Sequence, residues 1–190
     1  MFSFLFYLVE FHDIDKKLRL DYNVNIGVPR FEVLMRVTFF GHSFLTKHKD
    51  IFDSVLETLL KNIPENEHVV FYCGGYGDFD DICLKACQEV RKMRGNCEII
   101  FVTPYITEKY QEKMNGYIEG RIYDSIIYPP LENLPLRFAI VKRNEWMINE
   151  SDLIITYINR SYGGASKAAR YAKRRKKRSI NLAQSPEFTE

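Results

Sequence analysis

His68-Val69-Val70-Phe71-Tyr72-Cys73-Gly74-Gly75-Tyr76-Gly77-Asp78 is the stretch that decides the fold. A β-rich, largely apolar run ends on glycines and opens onto a helical pattern, Phe79, Ile82, Cys83, Ala86, Cys87, Val90 and Met93, with Asp78 as the expected N-cap. A strand without polar alternation is buried on both faces, which is the mark of a parallel sheet covered by helices.

Working outward, similar runs occur at 36–40, 98–102, 125–128, 152–158 and 179–182. Ile51, Val55, Leu59 and Leu60 mark one intervening helix, and further helical patterns cover 108–114, 137–149 and 164–175. The alternation predicts an α/β fold: a Rossmann-like, doubly wound, mainly parallel sheet flanked by helices. No repeat or low-complexity linker divides residues 35–183, which read as one domain. Residues 1–34 form an N-terminal extension without clear period. Met35, at the first well-patterned segment, is the expected natural start, the alternative being an extra strand and helix on the domain edge. Residues 184–190 read as a tail.

The chain has 190 residues, is 46% hydrophobic and carries 14 Phe and 12 Tyr, so a packed core can offset the chain entropy and disorder is excluded as the main state. Net charge is only +2, yet nine basic residues and no acid fall between Arg160 and Arg178. The four cysteines contain no CxxC pair and read as reduced core residues; Cys83 and Cys87 belong to a core stripe, and no metal site is expected. No apolar run reaches the ~20 residues of a spanning helix, and Met1 to Val9 lacks a basic n-region, so a cytoplasmic protein without membrane contact is expected.

Ligands of doubly wound sheets bind beyond the carboxyl ends of the strands. Three strands there run into glycine-bearing turns: Gly41-His42-Ser43, Gly74-Gly75-Tyr76-Gly77, and Tyr162-Gly163-Gly164-Ala165-Ser166-Lys167. Glycine lets main-chain N–H groups approach a ligand, and a following helix N-terminus favours an anion. The third turn, with Ser166, Lys167 and no nearby acid, suits phosphate. The second is followed by Asp78, Asp80 and Asp81, which suit ribose hydroxyls or a base, or serve as helix-dipole partners.

In the fourth helix, Ile140, Val141, Met147 and Ile148 set an apolar stripe that contains Arg143 and Asn144. An arginine aimed at a sheet needs an ion-pair partner or an anionic ligand. Arg137 is a second candidate for anion capture. His42 reads as a hydrogen-bonding loop residue or an acid–base group. The run Lys173 to Arg178 closes a helix at the end that favours cations, with nucleic-acid contact as the subordinate reading. Walker A, HExxH, GxGxxG and Ser-His-Asp patterns are missing, which disfavours P-loop, zinc-protease, ordinary NAD and triad chemistry.

The ordered series Phe71 to Gly77, Arg137-Phe138, Lys142-Arg143-Asn144-Glu145-Trp146-Met147, Ser151 to Ile155 and Tyr162 to Lys167 resembles the SLOG superfamily. That superfamily includes the Lonely guy phosphoribohydrolases, the DNA-processing protein A domain and the small bacterial YpsA-like proteins, the last being the most similar. The resemblance implies a Rossmann-like nucleotide site. The phosphoribohydrolases' Pro-Gly-Gly-x-Gly-Thr-x-x-Glu motif falls on Tyr162 to Arg170. Gly163 and Gly164 match it, but Tyr162 replaces the proline, Ser166 the third glycine, Lys167 the threonine and Arg170 the catalytic glutamate.

The expectation is therefore binding of a nucleotide or nucleotide-derived signal, with no cofactor assigned beyond that ligand. Gly163, Gly164, Ser166 and Lys167 would hold phosphate, with Arg143 or Arg137 as counter-ion; Asn144 and Gly41 to Ser43 complete the site, and Gly74 to Gly77 with Asp80 face ribose or base. The alternative is a nucleotide N-glycosidase, phosphoribohydrolase-like, using Asp80 or Asp81 as its carboxylate. A nucleic-acid-contacting interaction module stands third. A homo-oligomer is compatible with each.

Overall fold

The computed structural model describes residues 33–183, except for the side chains at 33, 34, 109–111 and 113. The expected extension over residues 1–34 lies outside the described residues except for Val33 and Leu34, which open β1, and the expected tail at 184–190 lies wholly outside them. Six strands, β1 (Val33–Gly41), β2 (His68–Cys73), β3 (Cys97–Val102), β4 (Ser125–Ile127), β5 (Leu153–Tyr157) and β6 (Arg178–Asn181), form one sheet in the order β4-β3-β2-β1-β5-β6. Every pairing is parallel. Five helices connect them: α1 (His48–Asn62), α2 (Asp78–Arg94), α3 (Glu108–Glu119), α4 (Ala139–Glu150) and α5 (Gly164–Arg174). The Rossmann-like fold is the one the alternation of strands and helices predicts.

The central strands carry apolar side chains on both faces and divide them between two layers. Val37, Phe39, Phe71 and Phe101 pack with α1 and α2 through Val55, Leu59, Phe79 and Ala86. Phe40, Val70, Tyr72, Ile100 and Ile154 pack on the other face with Met147 and Ile148 of α4 and Ala168 and Ala172 of α5. The chain builds outward from β1 to β4, then returns through α4 to β5 on the other side of β1. That reversal opens a crevice at the carboxyl ends of β1 and β5, the topological switch point of the sheet.

Three local expectations are corrected. The N-cap of α2 is Gly77, at φ +92°, and Asp78 is the first helical residue. Its carboxylate is used elsewhere: Oδ2 accepts the Leu45 N–H at 2.8 Å and lies 3.3 Å from His48 Nε2. The helix predicted over 137–149 begins as a 3-10 turn, Leu136–Phe138, before α4 proper. On α4 the sheet-facing residues are Ala139, Arg143, Met147 and Ile148, whereas Ile140 and Val141 are 38% and 42% exposed. The apolar stripe is thus rotated from the one predicted, because Ala139, Arg143 and Met147 follow the i, i+4, i+8 row of a straight helix.

Candidate functional site

The three glycine turns meet at the switch point, around a cleft of about 390 Å³. Gly41 ends β1 against the first turn of α2; a Cβ there would lie 2.3 Å from Phe79 Cγ. His42 is buried, and its Nε2 accepts the Asn159 N–H at 3.1 Å, tying the first loop to the third. Burial first, then the charge of Arg160, hold its pKa below the ordinary histidine value, against the opposing effect of the Asn159 side chain. Accepting at Nε2 requires an unprotonated nitrogen there, which makes His42 a neutral hydrogen-bonding loop residue. The Ser43 carbonyl accepts the Asp78 N–H at 3.1 Å, and a Cβ on Gly77 would lie 2.4 Å from Ser43 Cα. The first and second loops are therefore in van der Waals contact.

Arg143 lies at the base of the cleft and is 2% exposed. Its Nη1 donates at 3.1 Å to the carbonyl of Val102, the last residue of β3, and its guanidinium sits 5.3 Å from the centre of the Tyr76 ring. Gly74 is what lets it enter. A Cβ on Gly74 would fall 2.4 Å from Arg143 Nη1 and 2.9 Å from Asp80 Oδ2, so arginine and carboxylate converge on bare backbone. Asp80 Oδ2 also accepts the Tyr76 N–H at 2.8 Å. Burial pushes the Asp80 carboxyl up to about 6, against the Tyr76 hydrogen bond and the positive charge of Arg143. Asn144, one residue along α4, also lines the cleft.

The third loop supplies the anion-suited wall. Gly163, at φ +96°, caps α5, and Gly163, Gly164 and Ala165 line the cleft at the helix N-terminus, where main-chain N–H groups lack intrahelical partners. Arg160 and Tyr162 complete the lining; Tyr162 is 67% exposed, with the Arg160 guanidinium 6.0 Å from its ring centre. The first loop adds no charge, so the fixed charges among the lining residues are Arg143 and Arg160 against Asp80.

Several predicted site residues stand elsewhere. Ser166 is buried and its hydroxyl is directed to the Arg160 and Tyr162 carbonyls, at 2.6 and 3.0 Å, so it shapes the loop instead of facing the cleft. Lys167 opens onto a separate groove between α4 and α5. Arg137 lies outside the cleft lining, its guanidinium 4.9 Å from the Phe138 ring centre. Asp81 is exposed and outside it too, as are Gly75 and Gly77, which shape the second loop. Arg170, at the position of the missing glutamate, donates to the Ser161 carbonyl at 2.8 Å. Arg160 and Tyr162 escape sequence reasoning because an exposed loop arginine and a non-glycine turn residue carry no periodic signal; only their flanking of the third glycine turn could have indicated them.

Chemically, the cleft can receive an anion from the α5 amides and two guanidiniums, and it offers one carboxylate poised between its charged and neutral forms. Among the described residues no group of His, Cys, Asp or Glu is arranged to hold a metal ion. The four cysteines are free and buried. No helix among the described residues is long and apolar enough to cross a membrane.

Six parallel strands, helices on both faces and a cleft at the switch point define a Rossmann-like α/β domain. Among solved structures, DNA processing protein A from Helicobacter pylori, described for its single-stranded DNA binding mode, is similar over 82% of this chain and 67% of that one. Identity is 21% and the TM-score 0.54. The X-ray structure of DNA processing protein A from Streptococcus pneumoniae is similar over 81% of this chain, at 16% identity and a TM-score of 0.56. This chain spans 52% of that pneumococcal chain. No protein-family model and no curated protein matches the chain. The similarities therefore support the Rossmann-like fold of DNA processing protein A and not the narrower YpsA-like or Lonely guy placement.

Proposed function

We propose that this protein binds single-stranded nucleic acid, seating one nucleotide unit in the cleft at the β1–β5 rim. The observation that carries this reading is the pair of tyrosines on two different loops of the cleft, each with an arginine beside its ring: Tyr76 with Arg143 and Tyr162 with Arg160. Aromatic faces for bases alternating with cations for phosphates are how proteins hold single strands, because every base has a π-face and every linkage a charge. The α5 N-terminus between them suits a phosphate. The single-stranded DNA binding of the Helicobacter protein favours a polynucleotide over the free nucleotide expected from the sequence.

Anisotropy of a fluorescein-labelled thymidine 20-mer tests it. The wild-type chain should bind, and an Arg160→Ala, Tyr162→Ala double variant should bind at least about tenfold more weakly. Both residues are exposed, so the variant should keep its wild-type circular dichroism. Equal affinity of the two proteins would refute the assignment.

A second reading, a free nucleotide or nucleotide-derived ligand, draws support from the volume of the cleft, within the range of ~300–1,000 Å³ usual for small-molecule sites. Adenosine monophosphate, ADP-ribose and a cyclic dinucleotide, tested as competitors of the oligonucleotide, separate the two. The N-glycosidase variant of this reading rests on Asp80 alone, since Asp81 lies outside the cleft. It requires release of free base from nucleoside monophosphates, abolished in Asp80→Asn.

A further inference from the structure

Beside the cleft, α4 and α5 enclose a second cavity of about 270 Å³. The two share Ile140, Asn144 and Gly164 as lining residues, so they adjoin across the first turn of α5. The floor of the second is apolar, built from Val141, Ile148 and Ala168. Its α5 wall carries Lys167, Arg170 and Arg174, at i, i+3 and i+7, which places three exposed cations on one helical stripe. The stripe is about 10 Å long at 1.5 Å per residue. On the α4 wall the acid is Glu145, and its carboxylate is held by Lys142 at 2.8 Å.

Two features of this groove are turned to solvent. Ile140 and Val141 turn away from the sheet on the outer side of α4, leaving apolar surface in water. Lys167 and Arg174 are exposed, Arg174 with its guanidinium 5.7 Å from the centre of the Tyr171 ring in the same groove, whereas the later part of the basic run is tied to neighbouring elements. Lys177 Nζ donates to the Ser151 carbonyl at 2.9 Å, Arg178 Nη2 to Asn62 Oδ1 at 2.6 Å and Arg175 Nε to Asn149 Oδ1 at 3.1 Å. An apolar floor beside a cationic stripe complements one chemical unit, a flat base joined to a phosphate.

We infer that the α4–α5 groove is a second nucleotide subsite, consecutive with the cleft, so that the smallest full ligand is a dinucleotide whose linking phosphate crosses the N-terminus of α5. The inference rests on the cleft being a nucleotide seat. Charge complementarity selects a nucleic-acid strand over an apolar helix or a second copy of this chain, because three cations line a wall whose neighbouring acid is already paired.

The test is competition by 5′-phosphorylated thymidine mono-, di- and trinucleotides, and by the matching uridine series, against a labelled hexanucleotide. Wild-type protein should bind the dinucleotide at least about tenfold tighter than the mononucleotide, with a smaller gain for the third unit. In Val141→Glu, which puts an acid on the groove floor at an exposed position, the dinucleotide should bind no tighter than the mononucleotide. Lys167→Ala, Arg174→Ala should reduce the gain without changing the fold. A wild-type dinucleotide no tighter than the mononucleotide overturns the subsite and leaves the cleft reading standing, as does a Val141→Glu protein that keeps the full gain. Failure of the wild type to bind any of the series or the hexanucleotide overturns both. A gain confined to the deoxy or the ribo series identifies which nucleic acid the groove accepts.

Discussion

Arg143 and Asp80 share one small volume beneath Gly74, and their energetics pull in different directions. The guanidinium, donating to the Val102 carbonyl, is fixed at the base of the cleft, whereas the carboxylate is penalised by burial more than it gains from its neighbours. Its proton is held more tightly in the folded state, where the pKa is about 6, than in the unfolded chain at 3.8. The stability this adds is complete below 3.8 and is lost as pH rises to about 6. Asp80→Asn should therefore unfold at a higher temperature than wild type at pH 7.5. A gain on the order of 3 kcal/mol should shrink to about half at pH 5, as chemical denaturation at the two pH values would report. A variant less stable than wild type at pH 7.5 would mean that the Arg143 and Tyr76 interactions outweigh the desolvation of the carboxylate.

At the scale of elements, the rim depends on two helices that begin on glycines in conformations other residues resist. Gly77 at φ +92° caps α2 with Ser43 Cα pressed against it, and Gly163 at φ +96° caps α5 with open space around it. A side chain at Gly163 meets backbone strain alone, about 1–3 kcal/mol. At Gly77 it meets the same strain and a clash with main chain that cannot swing aside. Urea denaturation should rank Gly77→Ala well below Gly163→Ala, and both below wild type. Equal losses would show that the first two loops part easily, contrary to their packing. Because Gly163 touches the proposed phosphate, Gly163→Ala should weaken oligonucleotide binding more than its modest stability loss suggests.

Over the whole molecule, a net charge of +2 conceals a cationic face, with the α5 stripe and Arg160 around the switch point. Binding there should weaken as salt rises, since each neutralised phosphate releases condensed counterions. A plot of log Kobs against log salt for a long thymidine oligonucleotide should be less steep by roughly 1.4 in Lys167→Ala, Arg174→Ala, about 0.7 for each phosphate that is no longer neutralised. An unchanged slope would remove α5 from the strand's path.

The order of strands and helices, the parallel sheet and the three glycine turns at one rim were legible from residues 68–78 and their counterparts, because burial on both faces and chain reversal are written locally in apolar runs and glycines. Arg143 was legible as well, being a cation within an apolar helix. What only the folded chain decided is which neighbours of those residues face the ligand. The rotation of α4 turns Val141 outward, and the curl of the third loop buries Ser166 and exposes Tyr162. Packed between sheet and α4, α5 gives Lys167 to the groove instead of the cleft. These depend on how helices roll against the sheet over long sequence separations, and a few degrees of roll move a side chain from one cavity to the next without altering any local pattern.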